Sequence, residues 1–213
     1  MGFWDVTLLV TAFASCLFFS GISYGWAPMV LMLKGEGQYS ELCTVEDPDC
    51  EAREQRLNLI YTMASSMFSI VAMPSGVILD AFGAHVVVAI SGCCQVVGAL
   101  LVAVADSKTF DTFIEGFSLL AVGGGMNLVA TFHAAFVFPN HRDIVLTCLN
   151  CFFDASTIVF AVLYQVHTTL GPSRRAIFFC FSGVAACIFT LLSVSFAVHR
   201  KDLLAHGAGA EAP

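Results

Sequence analysis

Six long runs of apolar residues follow one another along the chain, separated by short polar stretches. They cover about residues 6–32, 57–79, 86–105, 113–138, 144–167 and 176–198. Each reaches the roughly 20 residues that an α-helix needs to cross a bilayer. The runs are continuous, without the period-two alternation of membrane strands. The pattern therefore predicts an all-α membrane protein, with residues 1–213 forming a single six-transmembrane-helix bundle. The first run does not read as a cleavable signal peptide, because it is too long, lacks a basic leader and carries Asp5 where a leader is positive. An even number of spans puts both termini on the same side.

The joint between the second and third runs is short. Gly76, Asp80 and Gly83 fall there at the spacing G-x-x-x-D-x-x-G. Glycines let helix ends approach closely, and an Asp at a helix end is placed to accept from exposed N–H groups of a neighbouring helix. This stretch resembles the signature loop between the second and third helices of major facilitator transporters. That resemblance assigns Gly76, Asp80 and Gly83 to a conformational-switch loop. The basic residues that usually follow the Asp are absent, with Ala81, Ala84 and His85 in their places.

Composition agrees with the pattern. Hydrophobic residues make up 58% of the chain and charged residues 12%, with a mean hydropathy of +0.83, and no soluble domain of this size hides that much apolar surface. Nine Lys and Arg form no basic stripe, which excludes nucleic acid as a partner. No cofactor motif and no Cys/His zinc spacing is present, so neither a cofactor nor a metal is expected. Much of the net charge of −7 lies in the loop over residues 34–56. Cys43 and Cys50 sit there among acidic residues and read as a disulfide, which requires a non-cytosolic face. With that loop outside, the termini and the tail over 199–213 are cytoplasmic. The positive-inside rule opposes this orientation, because Arg142, Arg200 and Lys201 then lie inside against Lys34, Arg53, Arg56, Lys108, Arg174 and Arg175 outside. The Cys pair and the position of the Asp80 loop outweigh it. The remaining seven cysteines lie within the spans and read as small packing residues.

Candidate chemistry concentrates in the first, fourth and fifth spans. In the first, Gly21 and Gly25 form a GxxxG face, followed by Trp26 and by Pro28, which is expected to kink the helix. Tyr24 and Trp26 either line a solute route or belong to a packing seam with an interfacial anchor. The fourth span carries Gly123-Gly-Gly-Met-Asn127, with Thr131 on the face of Asn127 and His133 beyond. Glycine-interrupted helices at mid-membrane depth point to transporter sites, although glycines also simply admit a close neighbour. In the fifth span Asn150, Asp154 and Thr157 share one helical face. An ionised Asp in the middle of a span costs about 2.5–3.5 kcal/mol, so it should face a polar cavity or a partner. Tyr24, Trp26, Asn127, Thr131, Asn150, Asp154 and Thr157 are the candidate cavity residues.

Several stretches in order carry a more specific resemblance: Gly21…Gly25-Trp26, Leu33-Lys-Gly-Glu36 with Cys43 and Cys50, Arg56-Leu-Asn-Leu-Ile-Tyr-Thr62, Pro74…Gly76…Asp80, the triple glycine, Phe138-Pro139…His141-Arg142 and Phe153-Asp154-Ala-Ser156…Val159-Phe160. They resemble the N-terminal half of solute carrier family 43, which includes system-L-like transporters of large neutral amino acids and an equilibrative nucleobase transporter. The resemblance implies half of a major facilitator fold and facilitated uniport of a small-molecule solute by alternating access. It implies a plasma-membrane setting and a missing second half, supplied by a homodimer or another chain. A non-transporting membrane interaction protein derived from such a half is the competing expectation. An intramembrane enzyme finds no support, as no nucleophile elbow, HExxH or catalytic aspartate pair is present.

Overall fold

A computed structural model describes residues 2–44 and 50–199. Six helical spans are long and apolar enough to cross a membrane. The first is assembled from α1 (Phe3–Ser15), a widened π turn over Cys16–Ser20, a 3-10 turn over Ile22–Tyr24 and α2 (Trp26–Gly35). The second is α3 (Glu51–Phe82) and the third α4 (Ala84–Val104). The fourth is α5 (Phe113–Thr131), continued as a 3-10 turn over Phe132–Val137. The fifth joins α6 (Arg142–Ala155) to α7 (Val159–Leu170) through a 3-10 turn at Ser156–Ile158, and the sixth is α8 (Arg174–Val198). Among the described residues there is no strand; Asp106 and Phe110 form an isolated bridge.

The spans pack as a chain of neighbours, second on fourth, fourth on third, third on sixth, sixth on first and first on fifth. Phenylalanines fill the centre. Phe19 of the π turn lies 4.8 Å from the Phe181 ring and 5.3 Å from the Phe189 ring. Glycines set the helix separations. Successive residues on a helix point about 100° apart, so the three glycines of α5 meet three different spans. A methyl group at Gly123 would lie 2.9 Å from the Ser91 carbonyl oxygen, one at Gly124 2.9 Å from that of Phe19, and one at Gly125 2.7 Å from Val71. The triple glycine thus leaves α5 unbroken and serves close packing.

Two further expectations are corrected. Pro28 does not kink a helix, because it falls in the first turn of α2, where a missing N–H breaks no intrahelical bond. The break lies before it, at Gly21–Gly25. The loop expected over 34–56 is also shorter than its polar sequence suggests, since α2 runs to Gly35 and α3 begins at Glu51. Arg53 explains the extra turns. It is buried, and its guanidinium donates to the carbonyl oxygens of Gln38 and Lys34, each at 3.0 Å, covering the end of α2.

The start of α1 and the end of α8 meet at one end of the bundle, where His199 Nε2 lies 2.9 Å from Asp5 Oδ1. The expected tail beyond His199, and the loop residues 45–49, lie outside the described residues.

Candidate functional site

The site begins where the first and fifth spans cross. Both are interrupted at the same depth, and neither crossing glycine tolerates a side chain. A methyl at Gly21 would lie 2.6 Å from the Phe153 carbonyl oxygen and overlap Ser156 Oγ, and one at Gly25 would overlap the Thr157 carbonyl oxygen. The crossing is therefore backbone against backbone, which two side-chain-bearing helices could not reach.

Behind the crossing, buried amides hold the π turn. Asn127 Nδ2 donates to Ser20 Oγ at 2.7 Å and to Ser15 Oγ at 3.2 Å. Gln95 Nε2 of α4 donates to the Phe19 carbonyl at 3.1 Å and to the Leu120 carbonyl at 3.0 Å. A π turn displaces carbonyls from the regular ladder, and in hydrocarbon each displaced carbonyl needs a donor. Gln95 supplies one to Phe19. Composition hides this role, because Gln95 is a single polar residue in an apolar run and its partner is a backbone atom.

These positions divide the sequence candidates into two groups. Asn127 and Thr131 are fully buried and Trp26 nearly so, so they line no open surface here. Thr131 Oγ1 donates to its own helix at Leu128. Trp26 is packed edge-on against Phe117, with centroids 4.9 Å apart, and stacks on Tyr61. All three side chains are packed inside the bundle. Tyr24, Asn150, Asp154 and Thr157 are exposed on the bundle.

The exposed group belongs to one open face. In the second and fifth spans 22% and 28% of the apolar window is buried, against 61% in the fourth, so these two spans carry the unpacked surface. Asp154 stands midway along the fifth span. Its carboxylate has no hydrogen bond or ion pair among the described residues, and the seven Lys and Arg among them lie near span ends. Asn150 donates to the Leu146 carbonyl and Thr157 to that of Asp154, each at 2.9 Å. The second span also exposes Thr62, Ser66 and Ser69, all bonded back to their own helix. Their i, i+4, i+7 spacing was available as a sequence signal. Between the two spans Tyr24, Phe68 and Phe153 form an aromatic cluster with centroids 5.3 to 6.1 Å apart.

The two ends of the bundle differ. At the end bearing the Cys43–Cys50 disulfide, side chains tie the loops together. Arg174 Nε bonds Glu36 at 2.7 Å, Arg56 bonds Asp111 at 2.9 Å, and Lys34 pairs with Glu54. Tyr39 donates to Asp111 at 2.5 Å, and burial together with that carboxylate holds its phenol well above the ordinary range. At the opposite end Gly83 alone links α3 to α4, with a φ of +86° that favours glycine. Gly76 has open space around it. Asp80 is exposed, and its carboxylate bonds no helix N–H among the described residues.

With this geometry in view, the chain can be compared with known proteins. It is 29% identical over 187 residues to equilibrative nucleobase transporter 1 of Bos taurus, which covers 82% of this chain and 38% of that protein. It is 35% identical over 175 residues to protein FMP42 of Saccharomyces cerevisiae, covering 75% of the chain and 33% of that protein. It is 29% identical over 196 residues to large neutral amino acids transporter small subunit 3 of Mus musculus, covering 84% and 34%. The chain spans about a third of the length of these relatives. No family model matches the chain. No solved structure matches it. The chain is thus an integral membrane protein related to solute transporters, and the activities named among its relatives are transport activities, not enzymatic ones.

Proposed function

We propose that the six spans form one half of a facilitative solute transporter, with the fold of half a major facilitator protein of the solute carrier 43 type. It moves small neutral solutes, foremost large neutral amino acids, by alternating access. Asp154 carries the reading. An unpaired carboxylate in the middle of a span, on an open face beside two interrupted helices, is costly in hydrocarbon and useful in a solute path. Asn150, Thr157 and Tyr24 line the path with it. The second half comes from another copy of this chain or from a separate six-helix unit, seated on the second and fifth spans. Gly76, Asp80 and Gly83 act as the switch between end states. The termini are cytoplasmic, the disulfide loop faces outward, and the plasma membrane is the site of action. Nucleobase transport is a second reading, favoured by the bovine relative.

The test is uptake of labelled leucine, phenylalanine, adenine and hypoxanthine by cells expressing the full chain, beside Asp154→Ala. Saturable uptake that falls at least tenfold in the variant, at equal surface levels, is expected. Uptake untouched by the substitution would remove Asp154 from the path. A well-folded surface protein with no uptake would overturn self-sufficient transport and leave the non-transporting membrane interaction protein.

A further inference from the structure

The aromatic cluster of the open face differs from the other ring clusters. Phe19 with Phe181 and Phe189, and Trp26 with Phe117 and Phe160, are buried and serve packing. Tyr24, Phe68 and Phe153 come from three different spans, meet at the crossing of the first and fifth, and remain half-exposed. Tyr24 stands T-shaped to both phenylalanines. Its hydroxyl has no hydrogen-bond partner among the described residues, and a phenol left so in hydrocarbon is unfavourable. Asp154 follows Phe153 directly and lies one turn from Asn150. Among the described residues no Lys or Arg stands at this depth.

We infer that Tyr24, Phe68 and Phe153 are the platform on which a ring of the solute rests, and that Asp154 accepts the N–H donors at the solute's other end. The site then prefers solutes that combine a planar ring with an N–H donor. The inference rests on the transport reading above and refines it. Aromatic faces attract other rings through their quadrupoles beyond simple area burial. A carboxylate without a neighbouring cation favours N–H donors and disfavours anions. An aromatic amino acid and a nucleobase both satisfy this chemistry, the first through its ammonium and the second through ring and exocyclic N–H groups.

The test is equilibrium binding of tritiated phenylalanine, leucine and adenine to the purified full chain in lipid nanodiscs. Phe68→Leu and Phe153→Leu should each weaken phenylalanine and adenine about threefold to tenfold, as expected for a lost ring contact, while leucine stays within about twofold. Phe68→Trp should retain ring binding, which separates lost stacking from a damaged fold. Asp154→Asn should weaken all three solutes. Whether adenine or phenylalanine binds more tightly identifies the source of the ring. Equal losses for phenylalanine and leucine, or none for either, would overturn the platform while leaving the transport reading in place. If the folded wild-type chain bound none of the three, the transport reading would fall and the platform with it.

Discussion

Replacing Gly25 with alanine tests the crossing on which the site is built. The backbone of Gly25, at φ −81° and ψ 37°, has the negative φ that L-residues adopt, so the added methyl meets trouble chiefly through contact. It would sit 3.0 Å from the Thr157 carbonyl carbon and well inside contact distance of that oxygen. The obstacle is backbone, which cannot rotate away as a side chain would. The first and fifth spans must then separate or one of their breaks must rearrange. Overpacking of this kind costs about 1–3 kcal/mol, and a rigid obstacle places it toward the upper end. Gly183 is the matched control, since it lies inside α8 on the bundle surface with nothing within 4 Å. Alanine there should be neutral or stabilising by up to about 1 kcal/mol, through helix propensity. For a chain of this size a kilocalorie shifts the melting temperature by roughly 2–4 °C. Thermal unfolding of the purified chain in one detergent should therefore show Gly25→Ala lower by about 6–12 °C and Gly183→Ala unchanged or higher. Equal melting temperatures for wild type and Gly25→Ala would refute the backbone contact between the two spans.

Two further outcomes test the ionic end of the bundle. Arg174→Met should cost about 3–5 kcal/mol in the same assay, because it strips a buried cation from Glu36 and from the Val102 and Ala105 carbonyls; Arg174→Lys should restore only part, since one ammonium cannot reproduce the fork. Tyr39→Phe should flatten the alkaline limb of the stability profile. The folded phenol titrates above the unfolded one at about pH 10, so its contribution is whole below pH 10 and is lost as pH rises further; a wild-type protein with the same alkaline profile as the variant would contradict this.

The six spans were legible because twenty apolar residues in a row have few other fates, and their ends missed chiefly where polar turns continue a helix past the bilayer. Arg53 shows why, as its charge predicts loop while its bonds to the end of α2 keep Glu51 to Arg56 helical. Asp154 and its face were legible from a rare charge at helical spacing. The role of Asn127 was not legible, because a buried amide that clamps a neighbouring helix and one that binds a solute look alike in sequence. Its bonds to the hydroxyls of Ser15 and Ser20 lie more than a hundred residues away along the chain. Gln95 and the ring cluster escaped for the same reason, since their meaning lies in contacts between spans.

The contrast between Asn127 and Asp154 also bears on what covers the open face. Both stand deep in the membrane-spanning region, and hydrocarbon penalises both. Asn127 answers part of the penalty inside the bundle, with its amide N–H groups on two serine hydroxyls, while its Oδ1 is left without a partner among the described residues. Asp154 has no such answer among the described residues, and the flanking Asn150 and Thr157 spend their hydrogens on backbone carbonyls instead of on its carboxylate. Lipid chains offer it nothing. A carboxyl group held in hydrocarbon, charged or neutral, still needs hydrogen-bond partners. The second and fifth spans therefore require water or a further polar surface against them at mid-depth, and a six-helix bundle wrapped wholly in lipid is the arrangement that this carboxylate opposes.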